Sequence, residues 1–346
     1  MPVYDIDPCT DPRWNALVQS DPRSSIFHTL EWLRALRSTY GYSARVLTTS
    51  PNNAPLANGI VFCWVKSWLT GLRLVSVPFS DHCEPLVRDE DDLRVLLTEV
   101  EKKTAGKLKY AEIRPRSMQI TALNGFARCS PYHLHVLSLQ DSLDALYSRL
   151  HKDCVRRKIR RAERENVIVE QGCSNSMLQQ FYTLLLLTRR RHRLPPQPFS
   201  WFRNLAHCFG SRLTIRVARI GDRPIASILT LRHKKTIAYK YGCSDSQFHH
   251  TGAMPLLFWR IIQEAKSEQL EELDLGRSEI SNEGLIQFKD HLGATKTKLI
   301  YWRSPSDPPN HTDVRDVTFG FAQGLLSHLP DVLFRLTGEI FYRHAG

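Results

Sequence analysis

No Cys-x-x-Cys pair occurs among the 346 residues: the eight cysteines, at positions 9, 63, 83, 129, 154, 173, 208 and 243, stand singly. That scatter argues against a zinc ribbon and against a disulfide framework. Cys63 and Cys208 fall in apolar patterns, where a free thiol serves as a small core hydrophobe. His82-Cys83, with His133 and His135 elsewhere, has no ligand spacing that demands a metal, and none is expected. No run approaches the roughly 20 apolar residues of a spanning helix. No apolar segment follows the start Met, so a cleaved signal peptide is not expected and the expected location is the cytoplasm, with the inner face of the membrane as the alternative. Zinc-finger spacing, an RNP-type aromatic strand and a Gly-x-x-Gly clamp are also missing, which removes the usual supports of a nucleic-acid module.

What is present is a chain with 42% apolar residues and a formal net charge of +12, long enough for about two domains at roughly 100 to 200 residues each. The charge is concentrated. From Lys152 to Arg164 the chain reads KDCVRRKIRRAER. On a helix Val155, Ile159 and Ala162 share one face, and Arg157, Arg160, Arg161 and Arg164 the opposite one. Arginine forks match phosphate oxygens, and clustered positive charge raises the local concentration of anions, so this stripe is weighed ahead of a merely solvated face. A second cluster, Arg189 to Arg193, ends a helix where the dipole favours cations by roughly 0.3 to 1 kcal/mol each.

Periodicity and breakers give an α+β chain. In the second half a strand is expected at Val167 to Glu170, helices at Asn175 to Arg193 and Phe199 to Cys208, and an antiparallel meander at Leu213 to Ile220, Pro224 to Arg232 and Lys235 to Tyr241. A helix from near Gly252, a strand at Glu272 to Leu275, a helix at Asn282 to His291 and a strand at Thr295 to Trp302 follow. The first half repeats the order. Its strands are Val3 to Ile6, Ala44 to Thr49, Leu56 to Val65, Leu72 to Val77, Lys109 to Arg114 and Tyr132 to Leu139. Its helices are Pro12 to Ser20, Thr29 to Tyr40, Leu93 to Ala105 and Ser117 to Asn124.

This order resembles the GNAT N-acyltransferase fold, present twice. The segments HKDCVRRKIRRAERENV, GDRPIASILTLRHKKTIAYKYGCS, LDLGRS and GLIQFKDHLGA resemble the C-terminal half of Fem-type proteins, a two-unit GNAT-fold family that includes the FemABX aminoacyltransferases of peptidoglycan bridge formation. PFSDHCEPL and the tail LLSHLPDVLFRLTGEIFYRH are similar to its exopolysaccharide-linked, PEP-CTERM-associated branch. The resemblance implies an N-terminal GNAT-like domain over 1–140, a second over 141–303, both with mixed sheets, and a linker with an amphipathic helical tail over 304–346. It also implies transfer of an acyl or aminoacyl group from an activated donor, acyl-CoA or aminoacyl-tRNA, to an amine on an envelope polysaccharide or peptidoglycan precursor. No tightly bound cofactor is implied. The alternative is a non-catalytic protein that binds nucleic acid or another polyanion through its arginine helix.

Such chemistry asks for orientation, oxyanion stabilisation and a proton acceptor rather than a fixed set of side chains. The family's Phe-Lys pair maps onto Phe288 and Lys289, which implies a lysine that meets the donor or the reacting ester. The phosphate loop expected at the start of the helix after the fourth strand reads His249-His250-Thr251-Gly252-Ala253-Met254. Only Gly252 fits the Gln/Arg-x-x-Gly-x-Gly/Ala pattern, a departure that points away from ordinary acetyl-CoA. Asp81 and His82 are the first unit's candidates to accept the amine proton or bind substrate hydroxyls, with a turn cap and an incidental surface histidine as equal alternatives. Asp274 and Arg277 bracket Gly276 at a strand end. Tyr239 and Tyr241 alternate and are expected on one side of their strand, in the core or lining a cleft. In the tail, Phe319, Phe321, Leu325, Leu326, Leu329, Val332, Leu333, Leu336, Ile340 and Phe341 recur at helical intervals, broken at Pro330. A docked helix pair is expected there, with contact to a membrane surface through Arg335 and Arg343 as the alternative.

Overall fold

The computed structural model describes residues 1–68, 71–106, 108–117, 125–305, 329–344 and 346. All but the first residue of the helix expected over Ser117 to Asn124, the linker from 306, and the first tail helix with Phe319, Phe321, Leu325 and Leu326 lie outside these residues. In chain order the strands are β1 (Tyr4–Ile6), β2 (Ser43–Thr48), β3 (Ile60–Ser67), β4 (Gly71–Val75), β5 (Tyr110–Ile113), β6 (Ala127–Ser138), β7 (Ile168–Gly172), β8 (Leu213–Ile220), β9 (Arg223–His233), β10 (Thr236–Ser244), β11 (Glu272–Glu279) and β12 (Thr295–Ser304). The helices are α1 (Pro12–Ser20), α2 (Leu30–Tyr40), α3 (Glu90–Thr104), α4 (Leu143–Arg149), α5 (Arg157–Arg164), α6 (Asn175–Arg191), α7 (Phe199–Phe209), α8 (Ala253–Ser267), α9 (Glu283–His291) and α10 (Asp331–His344).

The chain divides into two compact units: Met1–Pro131 with residues 299–305 and Leu336–Gly346, and Tyr132–Lys298 with residues 329–335. Within the first, the strand order is β1-β2-β3-β4-β5-β12. Its ladders are antiparallel except the parallel pair β4–β5. The second has the order β7-β8-β9-β10-β11-β6, with the parallel pair again between its fourth and fifth strands. Each sheet ends on a strand from the other half of the sequence. Tyr132 to Ser138 pairs with β11, and Trp302 to Ser304 pairs with β5. The compact units therefore exchange their sixth strands relative to boundaries at 140 and 303.

Local signals account for the helices. Asp11 caps α1 by accepting from Arg13 N, and Pro12 opens it with a φ already helical. Three acids, Glu90 to Asp92, begin α3 and Lys102 and Lys103 end it, matching its dipole. Leu93, Leu96, Leu97 and Val100 then pack onto the first sheet. In the second unit α8 buries nine of its residues, from Ala253 to Ala265, against β9, β10 and α5, while α6 and α7 cover the other face.

The segment read as one helix from Lys152 to Arg164 begins with a π turn at Lys152–Arg156 before α5. The facing is as expected: Val155, Ile159 and Ala162 are buried, and Arg157, Arg160, Arg161 and Arg164 are exposed. The expectation that Tyr239 and Tyr241 share a side is overturned. The β9–β10 ladder passes from Tyr239↔Thr230 directly to Tyr241↔Leu229, so Lys240 is an extra, bulged residue. A bulge shifts the two-residue alternation by one. Tyr239 therefore packs on Phe258 of α8, and Tyr241 on Phe202 of α7.

Candidate active site

The parallel ladder of the second unit is short. β10 and β11 pair over Thr236↔Glu272, Ile237↔Leu273 and Ala238↔Asp274, after which β10 runs on to Ser244 against β9. Irregularities flank the parting point. Lys240 bulges from β10, and the β11–β6 register shifts between Asp274 and Arg277. Gly276 lies in that shift with φ +70, its N–H donating to Asp274 Oδ1 at 2.8 Å. Lys289 fixes the same segment from α9: its Nζ donates to Gly276 O at 3.0 Å and Arg277 O at 2.9 Å. At 3% exposure, Lys289 sits buried with its ammonium on two carbonyls.

At the end of β10, where Ser244 pairs with Ala226 of β9, lies a cavity of about 450 Å³ that Ile225 and Ala226 also line. Its walls are Cys154, Val155 and Lys158 from the π turn and α5, Ser244 and Asp245 at the end of β10, Phe248 and His249 in the following turn, Ala253 to Pro255 at the start of α8, and Gly284, Gln287, Phe288 and His291 on α9. Arg223 borders it, its guanidinium 4.6 Å from the Phe248 ring and 2.9 Å from Asp245 Oδ2. His249 Nε2 meets Ser244 Oγ at 2.9 Å. Burial, then Arg191, depresses the His249 pKa below the ordinary imidazole value, leaving a neutral ring at neutral pH. The wall is thus apolar on one side and cationic or hydrogen-bonding on the other.

The start of α8 is a restricted anion site. A helix N-terminus offers unpaired amides, but Pro255 has no N–H, and Ala253 N already donates to Thr251 Oγ1 at 3.3 Å. Gly252, at φ +82, presses on α5: a Cβ there would stand 2.3 Å from Lys158 O. Its small size is explained by this helix approach.

Of the residues singled out from sequence, Phe288 lines the cavity and Gly252 adjoins it. Arg157, Arg160, Arg161 and Arg164 do not line it. Arg157 lies 3.6 Å from Asp153 and Arg161 2.6 Å from Glu165, so acids accompany two of the four. Arg277 stacks on Tyr132 at 4.1 Å. Tyr241 is buried, its Oη accepting from Trp201 Nε1 at 2.8 Å. In the first unit Asp81 is half-buried, and its carbonyl accepts from Tyr301 Oη at 2.6 Å. His82 is buried, edge-on to Phe27 at 5.3 Å, and so is no incidental surface histidine. Sequence reasoning missed Lys158, the cation of α5 that reaches the cavity, and the group His151, Cys154 and His291. His151 and Cys154 stand one helical turn apart in the HKDC segment, a spacing visible in the sequence. His291 joins them only through the fold.

That group is the candidate metal-ligating cluster among the described residues, its three ligand atoms within 4.8 Å of one another. The hydrogen bonds oppose that use. His151 Nδ1 accepts from Asp153 N at 3.2 Å and Cys154 N at 3.1 Å, so the neutral ring carries its proton on Nε2 and has no lone pair there for a metal.

In α10, Val332, Leu333, Leu336 and Ile340 are exposed while Phe334 is buried, with Arg190 4.6 Å above its ring. No helix among the described residues is long and apolar enough to cross a membrane.

Residues 149–289 match the family model for the acetyltransferase (GNAT) domain. No curated protein matches. Among solved structures, FemX is similar at 14% identity with a TM-score of 0.67, covering 87% of this chain and 97% of that one. The C-terminal domain of a candidate lysylphosphatidylglycerol synthetase from Agrobacterium fabrum is similar at 14% identity with a TM-score of 0.54, over 91% and 94% of the two chains. A tandem GNAT protein from the clavulanic acid biosynthesis pathway follows at 10% identity with a TM-score of 0.54, over 88% and 100%. At these identities the likenesses show the fold.

Proposed function

We propose that this chain, which has the GNAT fold, moves an acyl or aminoacyl group from an activated ester or thioester to an amine on a cell-envelope polysaccharide or peptidoglycan precursor. The observation that carries the reading is the cavity of about 450 Å³ at the end of β10, walled by α5, α8 and α9. An acyl arm laid along the end of β10 meets apolar packing from Val155, Met254 and Phe288, and Lys158 stands ready for a donor phosphate. The amine attacks the carbonyl carbon, and collapse of the tetrahedral adduct expels the donor's thiol or hydroxyl, which carries off the amine proton.

The donor is proposed to differ from free acetyl-CoA. His249 and Met254 depart from the phosphate-loop pattern, Pro255 and Ala253 remove two amides from the start of α8, and the Lys158 carbonyl crowds Gly252. An aminoacyl-tRNA ester or another acyl carrier agrees with these features. It also gives Arg160 and Arg164 a polyanion to meet. The FemX and lysylphosphatidylglycerol synthetase names among the similar folds accord with envelope substrates. Binding of a polyanion without chemistry is the weaker reading, because two of the four arginines are shared with acids.

The test is a donor screen by mass spectrometry. The full chain is incubated separately with acyl-CoAs and charged tRNAs in the presence of amine-bearing envelope precursors. A product mass shift with charged tRNA is expected, together with binding that weakens steeply with salt. Transfer from acyl-CoA alone, with salt-independent tRNA binding, would reverse the donor assignment.

A further inference from the structure

The cavity contains a thiol that direct transfer leaves unused. Cys154 and His291 both line it, and His151 stands beside them, the Cys154 Sγ and one ring nitrogen of each histidine lying within 4.8 Å of one another. The two imidazole rings are 4.3 Å apart, and His151 N donates to His291 O at 2.9 Å, tying the π turn to the end of α9.

Their roles differ by protonation. The two amides that donate to His151 Nδ1 leave its proton on Nε2, so His151 offers the group a donor rather than a base. His291 is held below the ordinary imidazole value by burial, then by His151, with Asp290 opposing and Lys158 adding to the depression. It is therefore neutral at neutral pH and able to accept a proton. Cys154 lies in the first turn of its helix, with Lys158 one turn further along the same wall. A half-exposed thiol with a neutral imidazole nitrogen within 4.8 Å is the arrangement of a nucleophile and its base.

We propose that Cys154 is an acyl-accepting nucleophile, so that transfer passes through a Cys154 thioester, with His291 as the proton acceptor and the His151 Nε2–H as a donor to the sulfur as it ionises. The step rests on the acyl-transfer reading of the cavity. The thiol proton passes to His291 as Sγ bonds to the donor carbonyl carbon. The donor's C–S or C–O bond breaks, and the departing thiolate or alkoxide takes the proton from His291. An amine then attacks the Cys154 thioester, forming the amide and returning the thiol, with no oxidant or reductant involved.

The first measurement is independent of the natural donor. Full-length protein is treated with limiting iodoacetamide, and alkylation is followed peptide by peptide, with the exposed Cys173 of the same unit as internal reference. Cys154 is expected to react about ten-fold faster than Cys173, and His291→Gln to bring the two rates together. The second uses the S-acetyl thioester of N-acetylcysteamine without any amine. A hydroxylamine-labile acetyl group is expected on the Cys154 peptide, absent in Cys154→Ser, whose unchanged melting temperature shows that the fold is kept. Equal alkylation at the two cysteines, or protection of Cys154 by stoichiometric Zn²⁺, overturns the proposal. So does full turnover by Cys154→Ser in the donor screen, which would leave direct transfer standing. Selective acetylation of Cys154 by a chain that transfers from none of the screened donors supports the thioester and places the failure in the proposed donors and acceptors.

Discussion

Gly252→Ala tests how the cavity wall is built. Gly252 ends the turn before α8 at φ +82, and a Cβ added there would meet Lys158 O at 2.3 Å and Lys158 C at 2.8 Å. Both atoms are backbone, so no side chain can swing aside, and α5 must retreat by about 1 Å to restore a contact distance. A left-handed alanine costs roughly 1–2 kcal/mol, and overpacking adds about 1–3 kcal/mol, so a loss of about 2–5 kcal/mol is expected. Gly221→Ala is the control in the same unit: its φ is +54, but nothing lies within 4 Å of its added Cβ, leaving only the roughly 1–2 kcal/mol conformational share. Urea denaturation of the two variants, read as the difference in unfolding free energy, separates the terms. Because Lys158 and Cys154 ride on the displaced segment, Gly252→Ala should also lose turnover, whereas Gly221→Ala should keep it. Equal destabilisation of the two variants would refute the close approach of α5 to α8, and with it the wall of the cavity.

Lys289→Ala leaves Gly276 O and Arg277 O without their buried donor and should cost about 3 kcal/mol of stability, seen as a lowered melting temperature; lost turnover at unchanged stability would instead return Lys289 to a role at the donor. Tyr241→Phe strands the Trp201 Nε1–H and should cost about 1–3 kcal/mol while leaving kcat/KM unchanged; the reverse pattern would put Tyr241 at the substrate. Stability should fall on acidification. Burial depresses His28 to about 4 and, with Lys289 second, His135 to about 4, against an ordinary 6.5. The unfolded chain therefore binds protons that the folded chain refuses, and stability present above pH 6.5 is lost as pH drops towards 4, by roughly 3 kcal/mol for His28. Urea midpoints at pH 7 and pH 4.5 check this, and a flat profile across that window would contradict it.

The order of elements was legible because each core-facing stretch carries its own period and its own stops. Leu213 to Ile220 alternates between a helix-ending Gly210 and the Gly221-Asp222 turn, and its strand bounds were read as they stand in the structure. Pro12 after Asp11 did the same for α1. What sequence did not disclose is whatever depends on a partner distant in the chain. A strand's period says which side chains share a face, but not which strand lies beside it, so Tyr132 to Ser138 read as the end of the first unit although it pairs with β11. One bulged residue, Lys240, inverted the facing of Tyr241 relative to Tyr239, and Gly242, whose lack of a Cβ makes room for the Tyr239 hydroxyl, was its one sign in the sequence.

The site follows the same rule. The arginines of α5 draw attention because charge is conspicuous in a sequence. Yet conspicuous charge is what a helix turns to solvent, and these four side chains are exposed. The cavity takes from that helix its single lysine, and from the preceding turn a cysteine, because those positions flank the buried Val155 and Ile159 and so lie at the edge of the packed face. Lys289 shows the converse. A lysine in the last turn of an amphipathic helix reads as a solvated cap, and only the widened register of β11 beside it supplies two carbonyls able to hold an ammonium out of water. The shift in β11 and the lysine that holds it are therefore one construction, because the carbonyls of the shifted stretch are the ones the buried ammonium takes.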